Sequence, residues 1–261
     1  MESINRLPIA KRLNTILTSN NRCPDCKRLY LLKDGQEYCF HCDVIAKEDK
    51  QVSEEATKWV ENRVVDELLT AFKEKSLMNK DLEEATLTSY FPKNESQKQA
   101  LIKANEYVDN FDKKQGIIIQ GDPGLGKSHL AASIVKEVVK NKHTGIFISL
   151  PRLMTELRAT YSKASNLKEI DILTGLQKVD LLVLDDLGVE IDGKKDEAAA
   201  WARGKVYEVI DSRIGMSTIY TTNFTANELF GMYGERDFSR MMQYASSLKI
   251  VGQNYRLKDF L

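Results

Sequence analysis

Nowhere in this chain does an apolar run approach the ~20 residues that a membrane-spanning helix needs. The opening stretch, Met1 to Leu13, is interrupted by Glu2, Arg6, Lys11 and Arg12, so it holds no signal-peptide apolar core, and a cytoplasmic location without membrane contact is expected. Net charge is also missing, because 38 lysines and arginines meet 38 aspartates and glutamates. Without a global field, partners must be chosen by local patches. Cysteine is scarce: there are four, and none lies beyond residue 42. The remaining composition, 42% apolar and 29% charged, is that of an ordinary globular protein, and 261 residues allow one large domain plus a small appendage.

The four cysteines fall as Cys23-x-x-Cys26 and Cys39-x-x-Cys42. Two such pairs at this separation have the spacing of a four-cysteine zinc site built from two knuckle turns. Pro24 and Asp25 suit the first turn, and Gly35 suits a hairpin tip between the pairs. Zn²⁺ is borderline-soft and favours thiolates, and a closed tetrahedron holds structure and does no chemistry. Disulfides are disfavoured without a secretion signal; free thiols are the other alternative, and His41, between two ligands, is an alternative to Cys42. Lys11, Arg12, Arg22, Lys27, Arg28 and Lys33 make the module basic, which suits nucleic acid and a solvated face equally. The expected division is a zinc-binding module over residues 1–50, a helical linker over 51–92 and a larger domain over 93–261. Within this, the polar stretch Ala46 to Gln51 reads as linker, Ser53 to Met78 as an amphipathic helix capped by Ser53, and Leu87 to Pro92 as a break.

The larger domain is organised around Gly121-Asp122-Pro123-Gly124-Leu125-Gly126-Lys127-Ser128, which reads G-x-x-x-x-G-K-S. The apolar run Gly116 to Gln120 before it suits a buried strand, and His129 to Lys140 after it carries Leu130, Ile134 and Val138 at helical spacing. Strand, glycine loop, helix is the arrangement a phosphate-binding loop needs. The glycines let backbone N–H groups close around the phosphates, Lys127 reaches the β- and γ-phosphates, and Ser128 holds Mg²⁺.

Downstream, strands and helices alternate in the α/β manner, with strands expected at Gly145 to Leu150, Asp180 to Asp185, Ser217 to Asn223 and Lys249 to Val251. Helices are expected over Glu95 to Phe111, Arg152 to Lys163 and Glu197 to Arg213. The run ending in Asp185-Asp186 places paired carboxylates where a phosphate-loop protein holds its metal, with Asp185 binding Mg²⁺ and Asp186 polarising the attacking water. Asn223, at the tip of its strand, is placed to position that water; a turn-forming role is the alternative. Thr225-x-x-Glu228 is a capping box. Arg236 and Arg240 then lie four apart on one helix face, and Arg256 follows near the end of the chain. Lys136, Lys140, Lys142, Arg152, Arg158, Lys163 and Lys168 are a candidate surface for a nucleic acid strand or a solvated face.

This order of motifs resembles an AAA+ ATPase. More narrowly, Thr86 to Arg256 is similar to the replicative-helicase loaders of the DnaC and DnaI type and to their relative, the IstB transposition ATPase. The matching pieces are the phosphate loop continued through His129-Leu130-Ala131-Ala132, then Leu181 to Gly188, Thr221-Thr222-Asn223-Phe224, and Glu235-Arg236-Asp237-Phe238-Ser239-Arg240-Met241. The resemblance implies a phosphate-loop AAA+ core, a parallel sheet flanked by helices, with ATP and Mg²⁺ bound by the loop, His129 and Asp185. It implies Asn223 as sensor 1, Arg240 as an arginine finger given to a neighbouring subunit with Arg236 supporting that interface, and Arg256 as sensor 2. It further implies a hexameric replicative helicase and single-stranded DNA as partners, and a homo-oligomer when ATP is bound. The alternative is an IstB-like ATPase that binds duplex DNA and activates a transposase. Many AAA+ proteins carry Asp-Glu where this chain has Asp185-Asp186; the DnaI-like branch is similar in carrying two aspartates, and it also has an N-terminal zinc module. A metabolic phosphate-loop kinase, which needs no arginine between subunits, is the rival from another class.

Overall fold

The computed structural model describes residues 17–57, 63, 80–162, 168–193 and 197–257. The chain divides into two compact units, Met1–Arg63 and Val64–Leu261.

In the first unit, β1 (Leu17–Arg22), β2 (Leu29–Lys33) and β3 (Gln36–Tyr38) form an antiparallel sheet in that order. Asp34 and Gly35, both at positive φ, make the two-residue hairpin turn that the twist of paired strands favours. The chain then enters a π-helical turn, Phe40–Ile45, with Cys39 as its N-cap, and runs on as helix through residues 46–57. This corrects the expected linker at Ala46 to Gln51 and the expected cap at Ser53. The second cysteine knuckle already opens the helix, so Ser53 lies inside it, its carbonyl accepting from the Thr57 hydroxyl at 2.8 Å. The rest of the expected amphipathic helix, apart from Arg63, lies outside the described residues.

The second unit is a three-layer α/β domain. Its five parallel strands are β4 (Gly116–Gln120), β5 (Gly145–Ser149), β6 (Leu181–Asp185), β7 (Thr218–Thr222) and β8 (Ala245–Lys249), arranged β5-β6-β7-β4-β8. The helices are α1 (Glu95–Asp109), α2 (Lys127–Lys140), α3 (Leu150–Ala159), α4 (Glu169–Lys178), α5 (Glu197–Ser212) and α6 (Ala226–Met242). Successive strand residues alternate between faces. Ile118, Ile146, Ile148, Leu182, Leu184 and Tyr220 share a core with α3 to α6, whereas Ile117, Ile119, Leu181, Val183 and Ile219 share one with α1 and α2. Covered on both faces, the strands carry near-continuous apolar runs, which is why they were legible.

Two elements differ from expectation. Helix α4 was not foreseen, although Glu169 and Asp171 in its first turn, buried Ile172 and Leu176, and Lys178 in its last turn supply the signal. The last strand lies at Ala245–Lys249 and not at Lys249 to Val251; its backbone completes the ladder on the open edge of β4. Among the described residues, no helix is long and apolar enough to cross a membrane.

Candidate nucleotide site and cysteine cluster

The phosphate loop joins the C-terminal end of β4 to the N-terminus of α2. Gly124 and Gly126 both sit at positive φ, +78° and +84°. A Cβ on Gly124 would meet Asn254 Oδ1 at 1.9 Å, and one on Gly126 would stand 2.8 Å from the Tyr90 ring, so geometry and space both require glycine. Gly126 caps α2, leaving the first N–H groups and the positive end of the helix dipole facing the loop.

A cavity of about 480 Å³ lies over this loop. Pro123, Gly124, Leu125, Gly126, Lys127, Ser128 and His129 line it, joined by Asp185, Asp186, Asn223 and Arg256 from distant stretches of the chain. The motifs read separately from the sequence therefore converge on one space. Gly121 and Asp122 do not line it. Gly121 is buried against the Ile250 carbonyl, and Asp122 serves through its backbone. Arg236 and Arg240 lie elsewhere, on α6.

Lys127 is only 5% exposed, and its Nζ donates to the Asp122 carbonyl at 2.9 Å and to Asn223 Oδ1 at 2.7 Å. Burial lowers its pKa, and the charges of Asp186, Asp185 and Asp122 oppose that fall. Asp185, also 5% exposed, accepts from Thr221 Oγ1 at 2.5 Å and faces the cavity together with Ser128. Burial, with the Asp186 charge behind it, pushes Asp185 up to about 6. Ser128 and Asp185 are thus held together at the position where Mg²⁺ would sit, a hydroxyl and a carboxylate being the hard oxygen donors that ion takes. Asp186 adopts φ +62°, and its N–H donates to Thr221 Oγ1 at 3.1 Å.

Three contributors were not foreseen. Thr221 ties the ends of β6 and β7 together, since its hydroxyl donates to Asp185 while accepting from Asp186 N–H. Tyr90 is buried against Gly126, in a segment read as a simple break. That segment is pinned by His129, whose Nε2 lies 3.0 Å from the Thr86 carbonyl and 3.2 Å from Ser89 Oγ. Lys136 pins it further, donating to the carbonyls of Leu82, Glu83 (2.7 Å) and Ala85 (2.9 Å). Third, Asn254 leans on the loop while Tyr255 N–H donates to the Gly124 carbonyl at 3.0 Å. Only the Pro92 and Tyr255-Arg256 neighbourhoods hinted at these contacts, because each joins residues far apart in sequence.

The candidate basic surface is partly consumed internally. Besides Lys136, Lys140 pairs with Glu137 at 2.6 Å, Arg152 with Glu156 at 3.6 Å, and Arg158 lies over the Trp201 ring at 4.6 Å. Lys163 lies outside the described residues. Arg236 and Arg240 share one face of α6, as their spacing requires: both guanidinium groups lie over the Tyr207 ring, at 4.4 and 5.1 Å, and Arg240 also bonds Tyr207 Oη and Asp211.

In the first unit, the sulfurs of Cys23, Cys26, Cys39 and Cys42 all lie within 4.8 Å of one another. Cys23 and Cys42 Sγ are 3.8 Å apart, and Cys26 and Cys39 Sγ 3.3 Å. A tetrahedron with metal–sulfur bonds of ~2.3 Å needs sulfurs ~3.8 Å apart, so the donor set fits Zn²⁺. The knuckles are preformed: Lys27 N–H donates to the Cys23 carbonyl at 3.0 Å, and Cys42 N–H to Cys39 Sγ at 3.4 Å. Backbone N–H groups of Cys26 and Asp25 bring the Cys23 thiol down to about 7, while the hydrogen bond from Cys26 pushes Cys42 up to about 12. None of the four is paired in a disulfide, and His41 is not among the clustered donors.

A parallel sheet with a glycine loop at one strand's C-terminal end, a buried lysine and a serine–aspartate pair define a phosphate-loop, AAA+-type nucleotide-binding domain. The chain belongs to the family of IstB-like ATP binding proteins, whose family model matches residues 46–260. It is 32% identical over 160 residues to the replicative helicase loader DnaC of Escherichia coli strain K12, covering 60% of this chain and 62% of that protein. The crystal structure of the DnaC helicase loader is similar at 28% identity and a TM-score of 0.58, over 66% of this chain and all of that one. The crystal structure of DnaI shares the fold, with 23% identity, a TM-score of 0.55, and 69% and 94% of the two chains covered. The chain spans about three fifths of the length of the curated relatives it matches.

Proposed function

We propose that this protein is an ATP-dependent loader of a replicative DNA helicase, with hydrolysis completed between subunits of an assembled homo-oligomer. The observation that carries the reading is the position of the two arginines. The pocket holds Lys127, Ser128, Asp185, Asp186, Asn223 and Arg256, yet Arg240 stands outside it on α6, beside Tyr207 and Asp211, which supports a role toward a neighbour's nucleotide and not its own. The likeness to proteins named DnaC supports the helicase as partner.

In this reading Lys127 and the N–H groups of the loop hold the β- and γ-phosphates, and Arg256 contacts the γ-phosphate from the pocket's far wall. Ser128 and Asp185 would hold Mg²⁺, which would supply positive charge against the phosphates. Asp186 takes a proton from the attacking water, which Asn223 orients. Arg240 from the next subunit stabilises the charge spreading over the transferring phosphoryl group, with Arg236 bracing that interface. Lys127 now donates to Asn223 Oδ1, so an arriving γ-phosphate competes for the ammonium and frees Asn223 for water. The cysteine module over residues 1–50, folded around Zn²⁺, grips the helicase; residues 51–92 link it to the core of residues 93–261, which contacts single-stranded DNA.

The test is a mixing experiment read by size-exclusion chromatography with light scattering. The protein, with ATP and Mg²⁺, is combined with the replicative helicase of its own cell, and again after deletion of residues 1–50. A complex lost on deletion is the expected result. No complex, with assembly on duplex DNA instead, overturns the loader in favour of a transposition ATPase.

A further inference from the structure

One buried polar pair has no part in the chemistry above. Glu190 is fully buried and Tyr233 is 6% exposed. The Tyr233 hydroxyl donates to Glu190 Oε1, and the Gly188 N–H donates to Glu190 Oε2 at 2.9 Å. Burial and the facing carboxylate raise the Tyr233 pKa, so its hydroxyl keeps the proton it donates. A carboxylate is costly to bury, and an apolar pair could fill the same space, so a polar pair here fixes a geometry.

The two ends of the pair are placed to matter. Gly188 lies two residues beyond Asp186 at φ +101°, where a Cβ would stand 2.5 Å from the ring of Phe224, the residue after Asn223. Leu187 N–H donates to the Thr221 carbonyl at 2.8 Å, and Thr222 Oγ1 to the Leu187 carbonyl at 2.8 Å. The Gly188 turn is thereby locked to the strand ends that carry Asp185, Asp186 and Asn223. At the other end, Tyr233 immediately precedes Gly234, whose φ of 81° and ψ of 167° break α6. The half-helix beyond that break carries Arg236 and Arg240.

We propose that Glu190 and Tyr233 are positioning residues, a strut that sets the arginine-bearing half of α6 against the γ-phosphate end of the same subunit's sheet. Arg240 is thereby offered to a neighbour at an angle fixed by the donor's own site. This rests on the reading of Arg240 as acting between subunits.

Mixing complementary variants tests it. A Lys127→Ala protomer binds no ATP and serves only as arginine donor, whereas an Arg240→Ala protomer binds ATP but must be given an arginine. Restored turnover in the mixture is expected; its absence, with light scattering showing the two protomers assembled together, overturns the trans reading and the strut with it. The donor is then changed to Lys127→Ala/Tyr233→Phe. The strut requires restored kcat to fall about tenfold or more, as misplacement of a catalytic group does, with KM for ATP unchanged because that site lies in the other protomer. Equal restoration by both donors overturns the strut while leaving the trans reading intact. A donor carrying Lys127→Ala/Glu190→Gln, which keeps the shape and one acceptor oxygen, should restore an intermediate kcat; a loss of ATP affinity or thermal stability in Tyr233→Phe alone, with donor function untouched, would mark the pair as merely structural.

Discussion

Asp185 is held between two opposing demands. Its burial raises its pKa to about 6, while its place beside Ser128 suits a bound cation. The folded-state value lies above the ordinary carboxylate value of 3.8. The ionised group therefore costs metal-free stability fully above pH ~6, and the cost fades as pH falls towards ~4. Asp185→Asn should stabilise the nucleotide-free protein at pH 7.5 by about 3 kcal/mol at most, seen as a higher unfolding midpoint, with no gain at pH 4, while Mg²⁺-dependent turnover is lost. Calorimetry at both pH values checks this. Lys127→Ala should abolish ATP binding in an isothermal titration, and Arg240→Ala should leave binding intact while removing hydrolysis; loss of both together would count against a finger acting in trans. Lys127, Ser128, Asp185 and Asn223 were legible because short-range motifs fix them. Thr221 and Tyr90 were not, since a strand threonine and a loop tyrosine acquire their contacts only when β7 and the Thr86–Tyr90 segment reach the loop.

At the scale of elements, the stretch before α1 behaves as part of the nucleotide site. Lys136 on α2 satisfies three carbonyls around the short helical turn Lys80–Glu83, and His129 holds Thr86 and Ser89. Lys136→Ala leaves those carbonyls short of a donor and should loosen Tyr90 from the loop. The expected outcome is several-fold weaker ATP affinity with kcat at saturation nearly unchanged, as measured by fluorescence of a labelled nucleotide and by steady-state turnover. In the sequence Lys136 looked like part of a nucleic-acid surface, because a lysine on a helix announces its charge but not its partner. The buried strands β4 to β7 were plain from their apolar runs. Strand β8 was not, since it is an edge strand with adjacent exposed serines and a single buried side chain, Leu248, and is recognised chiefly by its backbone pairing with β4. The break in α6 at Gly234 separates the half that opens on the Thr225–Glu228 capping box from the half that carries the two arginines.

Across the whole molecule, two compact units divide the labour under the proposed function, and metal removal should separate their contributions. Native mass spectrometry is expected to find one Zn²⁺ per chain, and stripping it with a chelator should abolish helicase capture while ATP affinity stays within about twofold. Strand β4, which delivers the phosphate loop, has a consequence for how the molecule comes together. Its two ladders are made with residues 218–222 and 245–249, far along the chain, and the loop is then covered by Asn254 and Tyr255. Pairings so distant in sequence are slow to close, so nucleotide affinity should emerge as the last event of refolding, after most helical signal has returned. An ATP analogue added to such a reaction would then slow unfolding and leave the folding rate untouched, because the site it stabilises does not yet exist at the barrier.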